Sequence, residues 1–307
     1  MMKIAVIGAG GVGGYFGGRL AAAGYDVTFV ARGAHLKAMR DKGLQILSPR
    51  GDVHIWPITV AENIREVESA DLVLISVKLW DLESLAVTLS PLVERGAAVL
   101  SLQNGIQKDD VLRKVLPSES IIGGACYIQS VIAEPGIIRH SGMLQRLVFG
   151  DYGGRQSKRT SAFLEAAKQA GIDAEISNDI QRVLWQKFIF LVGLSGTTAS
   201  IRQPIGPILK NPQARSFLLD VIREVTNVAR ANGISLPENF ADQQMAVFDG
   251  LPETMTSSMH HDLQRGNRLE LPWLSDAVVA LGESHGIATP CNRAISDILA
   301  IYSLGSL

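Results

Sequence analysis

Residues 1–32, MMKIAVIGAGGVGGYFGGRLAAAGYDVTFVAR, decide how the first half of this 307-residue chain is built. The apolar run Ile4–Ile7 predicts a strand. It leads into Gly8-Ala9-Gly10-Gly11-Val12-Gly13, which opens a helix rich in small residues, and Asp26–Val30 predicts a second strand. Each glycine of the G-x-G-x-x-G spacing has a mechanical job: Gly8 permits a tight turn, Gly10 lets the backbone approach a pyrophosphate, and Gly13 lets the helix pack closely on the sheet. The helix N-terminus, with Gly11 and Val12 in its first turn, then offers free N–H groups and the positive end of its dipole to phosphate. About 20 residues past such a loop an Asp or Glu usually binds the ribose 2′-hydroxyl. This chain has Arg32 there, with His35 and Lys37 just beyond. An acid would repel a 2′-phosphate, whereas a guanidinium grips one bidentately, so the expected cofactor is NADP (as NADPH) in preference to NAD.

Composition sets the outer bounds. The length suffices for two domains and a substantial core. A formal net charge of −1 gives no general basic field for nucleic acid or a membrane surface. Cys126 and Cys291 are too few for a disulfide framework and suit a reducing cytoplasm. Cys126 reads as a small buried hydrophobe, and no Cys/His spacing proposes a metal. The N-terminal apolar run is short and interrupted by glycine, so it reads as a strand and not a signal peptide, and no segment approaches the length of a membrane span.

Strand and helix patterns alternate through the first half as an α/β, doubly wound Rossmann-type sheet requires. A helix is expected over His35–Lys42, then a hairpin of Leu44–Leu47 and Val53–Ile55 about the Pro49-Arg50-Gly51 turn. Asp71–Val77 reads as a buried parallel strand ending at Lys78, and Ala97–Ser101 as another, stopping at Gln103-Asn104-Gly105. Between them a helix begins at Asp81. Ile121–Ser130, Ile137–His140 and Leu144–Phe149 predict shorter antiparallel strands around Glu134-Pro135-Gly136. From about Ile180 strand signals stop, and helical periodicity predicts Val183–Leu194, Ala214–Asn232, Ser257–Arg265, Trp273–Ser284 and Ala294–Ser303. The expected division is a Rossmann domain over 1–179 and a mostly helical substrate domain over 180–307, with the ligand beyond the carboxyl ends of the strands, in the cleft between the domains.

Lys3-Ile-Ala-Val-Ile-Gly-Ala-Gly-Gly-Val-Gly-Gly14, Ser76-Val-Lys78, Leu102-Gln-Asn-Gly105, Trp185-Gln-Lys187 with Thr198-Ala199, and Ser257-Ser-Met259 with Asp262 and Glu270 follow one another in an order that resembles the ketopantoate reductase (2-dehydropantoate 2-reductase) family over essentially the whole chain. The resemblance implies reduction of a 2-keto acid to a 2-hydroxy acid with NADPH, as in pantothenate biosynthesis, in a cytoplasmic oxidoreductase. Its partner would be a small keto acid, and a homodimer is compatible with it. It implies that Lys187 is the general acid and that Glu270 orients Lys187 and bonds the substrate hydroxyl. Ser258 would bind the substrate carboxylate, Asn104 would bridge nicotinamide ribose, Lys187 and substrate, and Lys78 would contact cofactor phosphate or ribose. The chemistry is sensible unaided, because reducing a ketone calls for a donor that stabilises charge on the carbonyl oxygen and supplies a proton. A lysine inside the apolar helix Val183–Leu191 is costly to bury without a partner. Taken alone, Glu270 reads as a first-turn carboxylate, Ser258 as a helix cap, Asn104 as an Asn-Gly turn residue and Lys78 as a strand-end lysine.

The chain also departs from the family. Four and eight residues after the catalytic lysine the family usually has asparagines, where this sequence has Leu191 and Ser195. The usual Thr-Glu-Ile-Asp-Tyr-Ile-Asn-Gly appears as Leu269-Glu-Leu-Pro-Trp-Leu-Ser-Asp276. Leu191, Pro272 and Trp273 predict a more apolar substrate pocket. Two other readings fit the same residues: a Rossmann-type hydroxy-acid or imino-acid dehydrogenase working oxidatively, and a non-catalytic regulator that senses NADP.

Overall fold

The computed structural model describes residues 1–305, which cluster into two compact units, Met1–Val183 and the chain from Leu184 onward. In the first unit the elements run β1 (Lys3–Ile7), α1 (Gly11–Ala22), β2 (Asp26–Val30), α2 (Gly33–Lys42), β3 (Leu44–Leu47), β4 (Val53–Ile55), β5 (Thr59–Ala61), β6 (Leu72–Ile75), α3 (Leu82–Glu94), β7 (Ala98–Ser101), α4 (Lys108–Arg113), β8 (Ile121–Glu134), β9 (Ile137–Asp151), α5 (Lys158–Gln169) and β10 (Asp173–Ile176). All ten of these strands belong to one sheet in the order β4-β3-β9-β8-β7-β6-β1-β2-β5, with β10 on β9. From β5 across to β8 every pairing is parallel. This is why β6 and the Ala98–Leu100 part of β7 are continuous apolar runs with every residue buried.

The β3–β4 hairpin forms as the sequence predicts. The region after Ile121 is simpler than expected: β8 and β9 are two long antiparallel strands joined at the Pro135-Gly136 turn, where Gly136 takes φ +82°. The runs Ile137–His140 and Leu144–Phe149, expected as separate strands, are one strand carrying a bulge. Its register jumps from Ile128 opposite Gln145 to Gln129 opposite Ser141, leaving Gly142-Met143-Leu144 looped out. The bulge lets β9 pair with β3 through Ile137–Arg139 and with β10 through Arg146–Phe149, both on its free edge. The core is built from the inward faces of these strands and of α1, among them Ile4, Val6, Phe16, Phe29, Leu74 and Leu100.

The second unit is helical. It comprises most of α6 (Ile180–Ile201), then α7 (Ile205–Lys210), α8 (Pro212–Ala231), α9 (Phe240–Asp249), α10 (Ser258–Gln264), α11 (Ser275–Ser284) and α12 (Pro290–Leu299). The first expected helix is thus longer than Val183–Leu194, and α7 and α9 were not anticipated. The expected Trp273–Ser284 helix is split: Leu271–Trp273 is a 3₁₀ turn, and α11 begins after Leu274. Gly193 and Gly196 let α6 sit deep in the bundle, since a Cβ at Gly193 would meet Ile222 of α8 and Phe248 of α9, and one at Gly196 would meet Ile295 of α12. No helix among the described residues is long and apolar enough to cross a membrane.

Candidate active site

Parallel pairing puts the carboxyl ends of β2, β1, β6 and β7 side by side. The chain leaves those ends as Arg32, the Gly8–Gly13 loop, the Ser76–Lys78 segment and the Leu102–Gly105 segment. At about 4.8 Å per strand, four neighbouring strand ends cover about 14 Å, on the scale of an extended dinucleotide.

The glycine loop is built for close approach. Gly8 has φ +92°, and a Cβ there would strike the Val77 backbone nitrogen at 2.8 Å. Gly13 faces Ser76 Oγ, which donates to the Gly8 carbonyl at 2.8 Å; a Cβ on Gly13 would overlap both groups. Around Gly10, by contrast, nothing lies within 4 Å of the place a Cβ would occupy. The N-terminus of α1 has no side-chain cap and no acid in its first turn. The Gly14 N–H makes the first bond of the helix, to the Gly10 carbonyl, so the N–H groups of Gly11, Val12 and Gly13 precede the ladder. An open cradle with an uncapped positive helix end fits a dinucleotide pyrophosphate.

Arg32 is exposed at the N-cap of α2 and spends no side-chain bond on capping. Lys78 is half-buried, with its ammonium over the Trp80 ring at 5.5 Å. Asn104 is half-buried beside Gly105, which takes φ +85°. Its loop is held by Gln103, to which the sequence alone assigns no role: the buried amide donates to the Val77 carbonyl at 2.8 Å and accepts from Ser101 Oγ at 2.9 Å. One side chain thus ties the Asn104 loop to the Lys78 segment. Beneath it, the buried pair Lys108–Asp109, 3.0 Å apart, also donates from Lys108 Nζ to the Ser101 carbonyl at 3.1 Å. Cys126 is buried as expected, and its thiol reaches the Leu102 carbonyl.

His35 turns inward and not towards solvent. Its Nε2 lies 2.8 Å from the Ala9 carbonyl of the glycine loop, and its Nδ1 accepts the Gly136 N–H at 3.0 Å. Burial holds the imidazole below its usual pKa, opposed in part by the bond to Ala9.

In the second unit, Lys187 and Glu270 are charged residues only 9% and 8% exposed. Lys187 sits on α6 among Leu184, Phe188 and Ile189, all buried. Glu270 directly precedes the 3₁₀ turn as its N-cap residue, and no side-chain cap bond forms there. Lys187, Leu191 and Ser195 recur every four residues and so share one face of α6. Leu191 is half-buried and Ser195 buried on that face. Thr198, eleven residues on from Lys187, returns to the same face after about three turns. There α10 is anchored: Ser257 Oγ lies 3.1 Å from Thr198 Oγ1, and His260 Nδ1 lies 2.7 Å from the Thr198 carbonyl. That carbonyl stands in the last turn of α6, just before Arg202 adopts φ +58°. The helix cap of α10 is Ser257, whose Oγ accepts the His260 N–H. Ser258 is the first helical residue and is exposed, so its hydroxyl is not spent on capping. No group of three or more His, Cys, Asp or Glu among the described residues is placed to hold a metal ion.

The sequence matches the ketopantoate reductase PanE/ApbA family over residues 4–154 and its C-terminal domain over residues 179–303. It is 31% identical to a 2-dehydropantoate 2-reductase of Halobacterium salinarum, with 98% of each chain covered. To the Bacillus subtilis oxidoreductase YkpB it is 29% identical, over 98% of this chain and 99% of that protein. The crystal structure of a PanE/ApbA family ketopantoate reductase from Ralstonia eutropha superposes with a TM-score of 0.90 at 31% identity, covering 98% of both chains. The chain therefore belongs to the ketopantoate reductase family of oxidoreductases.

Proposed function

We propose that this protein reduces a 2-keto acid to the 2-hydroxy acid at the expense of NADPH, with ketopantoate or a keto acid of more apolar side chain as substrate. NADPH, when bound, supplies the hydride. The observation that carries the reading is Lys187, a lysine less than a tenth exposed beside the buried apolar residues Leu184, Phe188 and Ile189 of α6, where burying a charge is costly and a charge-dependent task accounts for it. Lys187 Nζ donates to the substrate carbonyl oxygen and gives up a proton as C2 is reduced, so that an alcohol and not an alkoxide leaves. Glu270, equally buried, orients that ammonium and accepts a hydrogen bond from the substrate hydroxyl. The exposed Ser258 hydroxyl, not spent on capping because Ser257 takes that role, binds the carboxylate. Leu191 and Ser195 line the space for the substrate side chain.

On the first unit, the loop residues Gly8, Gly10, Gly11, Val12 and Gly13 hold the pyrophosphate. Arg32 reads the 2′-phosphate, and Lys78 and Asn104 hold the nicotinamide half, Asn104 also reaching the substrate. The order Arg32, glycine loop, Lys78, Asn104 across the strand ends supports this assignment, because it matches the order of groups along the dinucleotide. The test is a panel of 2-keto acids with branched, aromatic and hydroxylated side chains, scored by oxidation of NADPH and of NADH. The expected outcome is turnover of at least one keto acid with NADPH preferred. Absence of turnover with every acid would leave a binding role only.

A further inference from the structure

We infer that His35 is a positioning residue for the cofactor pyrophosphate, aiming the Gly10 N–H by holding the Ala9 carbonyl; this rests on the glycine loop being the dinucleotide site. Ala9 C=O and Gly10 N–H belong to one planar trans peptide, so they point in opposite directions. Fixing the carbonyl fixes the donor. The Ala9 N–H is already tied, together with that of Gly8, to the Val30 carbonyl at the end of β2. The bond from His35 Nε2 to the Ala9 carbonyl, 2.8 Å long, completes the grip on that residue. It leaves the Gly10 N–H facing away from the imidazole. Gly10 itself gives no steric control, because it has no Cβ and nothing surrounds the place one would occupy.

The partners also define the imidazole's protonation. The Gly136 N–H is a donor, so Nδ1 must be bare, which puts the proton on Nε2, facing the carbonyl. Burial favours this neutral form. His35 lies one turn into α2, the helix whose N-cap is Arg32. Gly136 also fixes the ring from the other side, its own carbonyl being held by the Gln45 N–H. The ring is therefore clamped between the β8–β9 turn and the glycine loop.

Two amide variants separate the bonds. His35→Gln places an N–H where Nε2 stands and keeps the Ala9 bond; His35→Asn places an oxygen near Nδ1 and keeps only the Gly136 bond. Dissociation constants for NADPH and NADH are read from quenching of protein fluorescence, beside KM for the best keto acid. We expect His35→Asn to weaken both dinucleotides about tenfold, the size of one lost hydrogen bond, with KM for the keto acid unchanged and His35→Gln close to the unaltered protein. Should His35→Asn not fold, His35→Leu, which keeps neither bond, takes its place in the comparison. Binding by His35→Asn equal to that of the unaltered protein, equal losses in both amide variants, or a loss confined to NADPH would each overturn the inference. If the unaltered protein binds neither dinucleotide, the assignment of the loop fails instead, and the inference falls with it.

Discussion

Replacing Arg32 by aspartate tests the assignment of the cofactor at one exposed position. Arg32 lies two residues past the end of β2 and caps α2 with extended backbone and no side-chain bond, so the change should leave the fold untouched. A guanidinium bonded to a phosphate contributes about 1.5–3 kcal/mol through charge-assisted hydrogen bonds. Because the side chain is exposed, solvent screening favours the lower end, about 1.5 kcal/mol. Reversing the charge adds repulsion of about 1 kcal/mol for unit charges 4 Å apart in water. The sum, about 2.5 kcal/mol, corresponds to roughly a 60-fold weaker Kd for NADPH. NADH, which lacks the 2′-phosphate, should bind unchanged or better. Fluorescence titration of both cofactors, repeated at low and high salt, measures this directly; the NADPH preference should shrink as salt rises, since the contact is exposed. Equal titration curves for NADPH and NADH with the unaltered protein, or equal losses for both in Arg32→Asp, would refute the reasoning.

Lys187→Met keeps the length and apolar stem but removes the proton donor. It should lower kcat by about 10²–10⁴ while leaving the NADPH Kd, set in the other unit, within about threefold; near-normal turnover would remove Lys187 from the mechanism. Leu191→Asn restores the polar group usual in the family. It should shift kcat/KM towards ketopantoate over apolar keto acids by about 1–2 kcal/mol, and a strong ketopantoate preference in the unaltered enzyme would show that Leu191 does not read the substrate. Glu224, buried on α8, accepts the Cys291 N–H at 2.7 Å, the Asn292 N–H at 2.9 Å and Asn292 Nδ2 at 2.7 Å, and so caps α12 from another helix. Glu224→Gln turns a donor towards those donors and should cost about 2 kcal/mol, read as a drop of about 4–8 °C in the melting of the helical unit; an unchanged Tm would deny it that role.

The parts of the fold legible in the sequence were those with local, uninterrupted signals. The buried runs of β1, β6 and β7 and the Gly8–Gly13 loop were such signals, and so was the turn at Pro49–Gly51. The bulge in β9 was not. Leu144, 58% exposed, opens the strand expected over Leu144–Phe149, and only pairing with β8 shows that it is looped out. Helix α5 is not legible because its Ser157–Thr160 capping box lacks the acid that marks one.

At the candidate site, residue types with an obvious chemical task stood out: Arg32 in place of an acid, and a lysine in an apolar helix. The residues that brace the loops and helix ends around them did not. Gln103 and His35 act through bonds to the backbone of segments far away in sequence, from Gln103 to Val77 and from His35 to Ala9. Such bonds leave no spacing to read. The same is true of Thr198, whose value lies in an end-of-helix carbonyl bonded by His260.

Transfer of hydride to a 2-keto acid can be seen in a single product. The unaltered protein is incubated with the best keto acid and NADPH carrying deuterium at the transferable C4 position, and the product is examined by mass spectrometry and NMR. A 2-hydroxy acid bearing deuterium at C2 is the expected result. Oxidised cofactor without a 2-hydroxy acid, or a 2-hydroxy acid without the label, would contradict reduction by this route.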